Sequence, residues 1–213
     1  MNSQQIKEIL LSEIHEVSIN YEKYCNNPKR DFSRKRKLPF ELMLKNIIGM
    51  GSKSITNELI DIFQASGEMP SASAFVQQRT KIRPEALKAV FDGFMSRILA
   101  SADKMRILAV DGSDTQIETN PKDKMSHIPT SIDKKSFNLL HLNALYDLEE
   151  HVYTDAIIQA AKSQNEHGAL NEMVDRSEIP KALVIADRGY ESYNDMAHIQ
   201  EKGWFFLIRI KDG

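Results

Sequence analysis

A helical front half followed by a mixed α/β sheet is the fold class this sequence predicts. Three observations carry that prediction. Apolar residues recur at helical spacing through residues 1–100, then give way near residue 104 to apolar runs of strand length separated by helical stretches. Two of those runs, "ILAVD" and "LVIAD", end in aspartate, at Asp111 and Asp187. Strands alternating with helices in this way imply a sheet with helices packed against it.

The chain has 213 residues, enough for one large domain or two small ones. With 41% hydrophobic and 27% charged residues, it reads as globular rather than disordered. The division expected from the pattern is a helical region at 1–100 and an α/β region at 101–213. Net charge is −2, but residues 1–100 carry 15 basic against 11 acidic side chains, and residues 101–213 carry 13 against 19. A basic front and an acidic rear suit a nucleic-acid-gripping region followed by one whose carboxylates hold metal. Cys25 is the single cysteine, which excludes an intrachain disulfide and a cysteine-based zinc site. The N-terminus is an amphipathic pattern with acidic residues rather than a signal peptide. No apolar run approaches the roughly 20 residues of a membrane span, so a cytoplasmic protein is expected.

In chain order, Ile6, Ile9, Leu10, Ile14, Val17 and Tyr21 lie at helical spacing. Next comes "NNPKRDFSRKRKLPF", with two prolines and no apolar period, read as a loop or extended arm. Its six basic residues and one acid between Asn26 and Phe40 admit two readings. One is a solvated linker. The other is a phosphate-contacting arm over 29–37, in which Arg30, Arg34, Lys35, Arg36 and Lys37 neutralise DNA backbone charge and release counterions. Two short helices are expected around the turn at Gly49-Met50-Gly51, with Ser52 or Ser54 as N-cap. Two more follow, in "SASAFVQQRTKI" and in the stretch opened by Pro84. They form either a plain helical bundle or a helix-turn-helix presenting Gln77, Gln78, Arg79 and Lys81 to a DNA groove. Beyond residue 104 the expected order is strand, strand, strand, helix, strand, helix, strand. "KMRILAV" is the first strand, ending at Asp111 with a turn-rich "DGSDTQIETNPKD" after it, and "WFFLIRIK" is the last.

Ligands of α/β sheets gather beyond the carboxyl ends of the strands. If the strands ending in Asp111 and Asp187 are parallel neighbours, their carboxylates sit side by side. Such a pair is costly to keep ionised without a cation between them. Oxygen ligands of this kind favour Mg²⁺ or Mn²⁺, ions that serve phosphodiester chemistry. Hydrophobic strands also end in Asp merely because the chain is turning. Asp111 and Asp114 are three apart, whereas a phosphatase of the haloacid dehalogenase kind needs two. "GMGSKS" lacks the spacing of a phosphate-binding loop, and neither HExxH nor GxSxG occurs. His141, alternating with apolar neighbours, reads as a satisfied core residue. Ser113 and Thr115 suit a turn as well as a phosphate contact.

"ILAVDGSD", "HLNALYDL", "DAIIQ", "NEHGALNEMVDRS", "IADRGYES" and "HIQEKGWFFLIRIKD" together resemble the catalytic domain of insertion-sequence DDE transposases of the IS-four group. "DFSRKRKLPFELMLKNIIGMGSKSITNEL" and "SAFVQQRTKI" resemble the N-terminal part of the same proteins. The resemblance implies a ribonuclease H-like mixed sheet with flanking helices. It makes Asp111 and Asp187 the first and second catalytic acids and metal ligands, with two Mg²⁺ or Mn²⁺ ions in the complete enzyme. Arg188 and Tyr190 would meet DNA, and Gly189 would permit a close turn. The implied partners are double-stranded DNA, as transposon ends and target, and a second copy of the chain in synapsis; no membrane is implied. The family's third acid, a Glu within a YxxxRxxxExxK pattern, is not found. The expectation is therefore a catalytic region incomplete at its C-terminus and inactive alone. The alternative is a non-catalytic DNA-binding product acting as inhibitor or remnant. A stand-alone nuclease would need a further acid, for which Asp114 is the candidate.

Overall fold

The computed structural model describes residues 2–34, 36–99, 104–129 and 135–210. The chain divides into two compact units, Met1–Ser101 and Ala102–Gly213.

The first unit is helical: α1 (Ser3–Ile19), α2 (Phe40–Gly49), α3 (Ile55–Phe63), α4 (Ala72–Arg79) and α5 (Glu85–Leu99). Each helix begins where the sequence offers its free N–H groups a partner. Asn2 and Gln5 form a reciprocal capping box on α1, Ser54 caps α3 and Ser71 caps α4. Helix α1 packs on α5 and α2, burying Ile14 and Val17 with Phe40, Leu44, Ala86 and Val90. A second cluster gathers Leu38, Met43, Leu59 and Phe75. Cys25 belongs to the first cluster. Burial, then the charges of Asp31 and Glu22, push its thiol up to about 11.

The loop before α2 is not a free arm. Cys25 and Ile82 form an isolated β-bridge, Asn26 N–H donates to the Lys81 carbonyl (2.9 Å) and Arg83 N–H to the Tyr24 carbonyl (2.8 Å). The basic stretch thus leaves from, and is tied to, the connection between α4 and α5.

The second unit holds β1 (Arg106–Ile117), β2 (His127–Ile128), β3 (Phe137–Asp147), β4 (Val152–Ala160), α6 (Glu166–Arg176), β5 (Ala182–Ala186), α7 (Tyr193–Glu201) and β6 (Phe205–Ile208). Its sheet runs β2-β3-β1-β5-β6, with β4 also paired to β3. Strand β3 runs antiparallel to both β1 and β4, while β5 and β6 run parallel to β1. Three antiparallel strands extended by two parallel ones is the ribonuclease H-like order. Apolar residues Leu108, Val110, Val184, Leu145, Leu170, Met173 and Ile199 are buried where α6 and α7 cover the sheet. The other side is more open: Phe205 and Leu207 on β6 are exposed, and Ile107, Ala109, Leu183 and Ile185 are half-buried.

Two expected boundaries move. Strand β1 does not end at Asp111 but continues to Ile117, because its antiparallel ladder with β3 holds "DGSDTQI" extended as far as Ile117 opposite Asn138. Ladder pairing outweighs the turn preference of that polar stretch. The last strand is shorter than "WFFLIRIK". Trp204 precedes it, buried, its indole N–H donating to the Ile179 carbonyl (3.1 Å).

Candidate active site

The site is set by strand register. The parallel ladder of β1 and β5 pairs Leu108 with Val184 and Ala109 with Ile185. Two residues further along each strand stand Asp111 and Asp187. Side chains alternate across a sheet, so Asp111 falls on the face of Ala109, the open one, while Asp187 stands one residue past the end of the neighbouring parallel strand. Both are exposed, and neither makes an ion pair with a described residue. Two carboxylates just beyond the paired stretch of neighbouring parallel strands repel one another where they come close, an arrangement that favours a cationic ligand.

Local backbone chemistry aims both groups. The Asp111 carboxylate accepts the Gly112 N–H at 2.9 Å. Asp187 leaves β5 with extended backbone and caps a short 3₁₀ turn, Arg188–Tyr190, its carboxylate accepting the Gly189 N–H at 2.7 Å. A Cβ at Gly189 would lie 2.8 Å from that same carboxylate oxygen, so only glycine lets the turn close over Asp187 undisturbed. Arg188 is exposed beside the pair and makes no ion pair with a described residue.

On the opposite face of β1 lies a second polar cluster that sequence reasoning saw only in part. His141 is buried, with Nδ1 2.8 Å from Asp114 Oδ1 and Nε2 3.1 Å from Glu166 Oε1. A Cβ at Gly112 would stand 2.5 Å from His141 Nε2 and 2.8 Å from Glu166 Oε1, so this glycine makes room for the cluster. His141 is therefore a satisfied interior residue. Asp114 is turned to His141, on the strand face opposite that of Asp111. Among the described residues, no group of three or more His, Cys, Asp or Glu is placed to hold a metal ion. Glu166 begins α6 after the N-cap Asn165, a helix-start signal readable in "NEHG". Nothing in that signal showed that the helix would bring Glu166 to His141.

Tyr190 corrects an expectation. It was expected to meet DNA, but it is 2% exposed, and its ring faces His167 with centroids 6.0 Å apart. Its hydroxyl is buried without a hydrogen-bond partner among the described residues. Burial, then the negative charges of Glu166, Asp111, Asp187 and Asp195, hold the phenol well above its ordinary value. A side chain buried under α6 cannot reach a phosphate. Beneath it, the fully buried Asp195 of α7 accepts from His167 Nδ1 and from Asn171 Nδ2 (3.1 Å), both on α6. These bonds join the two helices behind the turn that carries Asp187 and Arg188.

The other expected DNA contacts lie in the first unit. Arg30, Arg34, Arg36 and Arg79 are exposed, and Lys35 lies outside the described residues. Lys37 is committed elsewhere, its ammonium donating to the Gly67 carbonyl (2.9 Å) and facing Glu68 at 3.8 Å. Lys81 donates to the Gln78 side-chain oxygen at 2.8 Å, and Gln78 itself is buried, so it is not offered to a groove.

The profile of the transposase DDE domain matches residues 102–213, more than half of the chain. The chain belongs to the transposase DDE domain family. Among solved structures, this DDE chain is similar to the piggyBac transposase in its synaptic complex with hairpin DNA, at 11% identity and a TM-score of 0.47. That match covers 100% of this chain and 49% of the other. It is also similar to the Drosophila P element transposase in its strand transfer complex, at 11% identity and a TM-score of 0.40, covering 97% and 48%. The chain thus spans about half the length of these transposases. No curated protein matches it. Among the described residues, no helix is long and apolar enough to cross a membrane.

Proposed function

We propose that this chain carries part of the machinery of a DNA transposase, binding transposon ends and contributing Asp111 and Asp187 to metal-dependent cleavage and strand transfer. The observation that carries this reading is the register of β1 and β5, which leads to two unneutralised carboxylates just beyond the paired stretch of neighbouring parallel strands in a DDE-family domain. Carboxylate oxygens are hard donors and fit Mg²⁺ or Mn²⁺ with water completing the shell. Asp111 and Asp187 would hold the ion. When bound, it supplies activation of the attacking oxygen and stabilisation of the leaving one. The Gly189 N–H fixes the orientation of the Asp187 carboxylate, and Arg188 stands exposed to meet the phosphate as a bidentate donor. The Asp195 bonds join α7 to α6, whose His167 ring packs on Tyr190 at the end of the turn. Double-stranded DNA is the proposed partner, with the cations of the first unit supplying sequence-independent grip.

The second reading is a DNA-binding chain without catalysis of its own, acting as an inhibitor or remnant. It is favoured by the absence, among the described residues, of a third metal-holding group beside Asp111 and Asp187.

The test is nicking of supercoiled DNA by the full chain in Mn²⁺, with duplex binding measured in parallel. Cleavage that falls by about 100-fold or more in Asp187→Ala while duplex affinity holds supports the first reading. Binding without cleavage by the parent chain selects the second. Cleavage at the parental rate in Asp187→Ala would sink the site assignment.

A further inference from the structure

The basic loop does more than display charge: it walls a cavity of about 640 Å³ within the first unit. Lys29, Arg30, Arg34 and Arg36 line it from the loop, and Lys81 lines it from the end of α4. None of the four loop cations makes an ion pair with a described residue. Among the described residues, Lys81 reaches a neutral amide, that of Gln78, and makes no ion pair. Among the described lining residues the one acid, Asp31, is buried and spent on the loop itself, accepting the Asn27 N–H at 2.9 Å. Like charges gathered in this way repel one another unless an anion sits among them.

The cavity is also built rather than incidental. Phe32, on its wall, holds the left-handed backbone conformation (φ 56°), which a bulky residue adopts only when its surroundings force it. Those surroundings are its edge-to-face contact with Phe40 (centroids 5.2 Å, 86°) and the Asn27–Asp31 turn. The Asn26 side chain also pins the loop, donating to the Thr80 carbonyl at 2.7 Å. A strained, anchored loop whose lining cations make no ion pair among the described residues is shaped for an anionic guest. The volume lies within the ~300–1,000 Å³ usual for small-molecule sites, well beyond a bare phosphate. A concavity of this kind takes a protruding unit, whereas a duplex backbone needs only an open surface.

We propose that this cavity binds a single phosphate-bearing nucleotide, the loop cations holding the phosphate and the Phe32 and Leu38 wall receiving the apolar part. The guest comes either from a DNA end with an unpaired nucleotide or from the free nucleotide pool. The first source rests on the DNA reading above; the second does not.

The test is titration of the full chain with a labelled deoxynucleoside 5′-monophosphate, with the same nucleoside lacking phosphate, and with blunt and overhanging duplexes. Ser33→Trp fills the cavity without altering charge, and Arg30→Gln/Arg34→Gln removes charge without filling it. Saturable binding of the monophosphate but not the nucleoside, weakened about tenfold or more in both variants, is the expected result. An overhang preference that vanishes in Ser33→Trp, with blunt-duplex affinity within about twofold of parent, assigns the guest to DNA ends. Monophosphate binding without that preference assigns it to free nucleotide. If Ser33→Trp melts early, the charge variant decides. No saturable monophosphate binding by the parent chain, or undiminished binding in the folded variants, overturns the proposal. Failure of the parent chain to bind duplex or cleave would instead count against the transposase reading and leave monophosphate binding as measured.

Discussion

The two ends of strand β1 treat charge in opposite ways. At its start, Arg106 is buried to 3% side-chain exposure and meets Asp147, fully buried, at 2.8 Å. The same carboxylate accepts the N–H groups of Glu149 (2.9 Å) and Glu150 (3.0 Å). Burial alone would push the Asp147 carboxyl up. The Glu150 N–H, the Arg106 guanidinium and the Glu149 N–H outweigh it and hold the group below its ordinary 3.8. Further along, Asp111 is exposed, accepts the N–H of its own neighbour, and makes no ion pair with a described residue. A buried charge must be fully partnered or the fold pays for it, whereas an exposed one can wait for a ligand. Charge at the start of β1 serves folding. Charge at Asp111 is unpaired among the described residues.

The largest effect should come from breaking the paired end. Arg106→Met strands a buried carboxylate and should cost the second unit about 3–5 kcal/mol, read by chemical denaturation. Arg106→Met/Asp147→Leu should recover much of that loss, because it removes both charges together. A single variant as stable as the parent would show that the pair contributes nothing to folding.

A smaller effect should appear on acidification. The folded-state value of Asp147 is depressed, so its contribution is fully present above the unfolded value of 3.8 and is lost as pH falls through the folded one. Denaturation midpoints should therefore drop in acid, and the drop should shrink in Arg106→Met/Asp147→Leu. An identical acid limb in both proteins would assign the sensitivity elsewhere.

The smallest effect on stability belongs to the unpaired end. Asp111→Asn should move stability by no more than about 0.5 kcal/mol, as exposed substitutions do. It should nevertheless abolish any rise in unfolding temperature caused by Mn²⁺. A persisting Mn²⁺ shift would place the ion away from Asp111, and a large intrinsic loss would make Asp111 a structural residue like Asp147.

Much of this is legible in the sequence. Apolar runs of strand length marked β1, β5 and β6, and "ADRGY" and "VDGSD" marked the two acids. The polar "DGSDTQI" misled, since turn chemistry is local and the β3 ladder that holds it extended comes from residues 138–147. Tyr190 misled for a similar reason. Its place in the motif suggested contact with DNA, but packing under α6 decided its burial. Glu166 and Asp195 carried no distinguishing spacing, because their partners His141, His167 and Asn171 are brought to them only by helix packing.

The sequence by itself determined which segments are strands, which helices they alternate with, and that two of the strands lead to aspartate. Those features depend on residues close together in the chain: period, caps and turn preference. Tertiary structure decided that the strands leading to Asp111 and Asp187 are parallel neighbours, that Asp114 is turned to His141, and that a basic stretch read as a linker or arm is tied down around a cavity. Each of these depends on strand pairing or loop anchoring between distant residues, and one-dimensional spacing does not encode which side chains then meet.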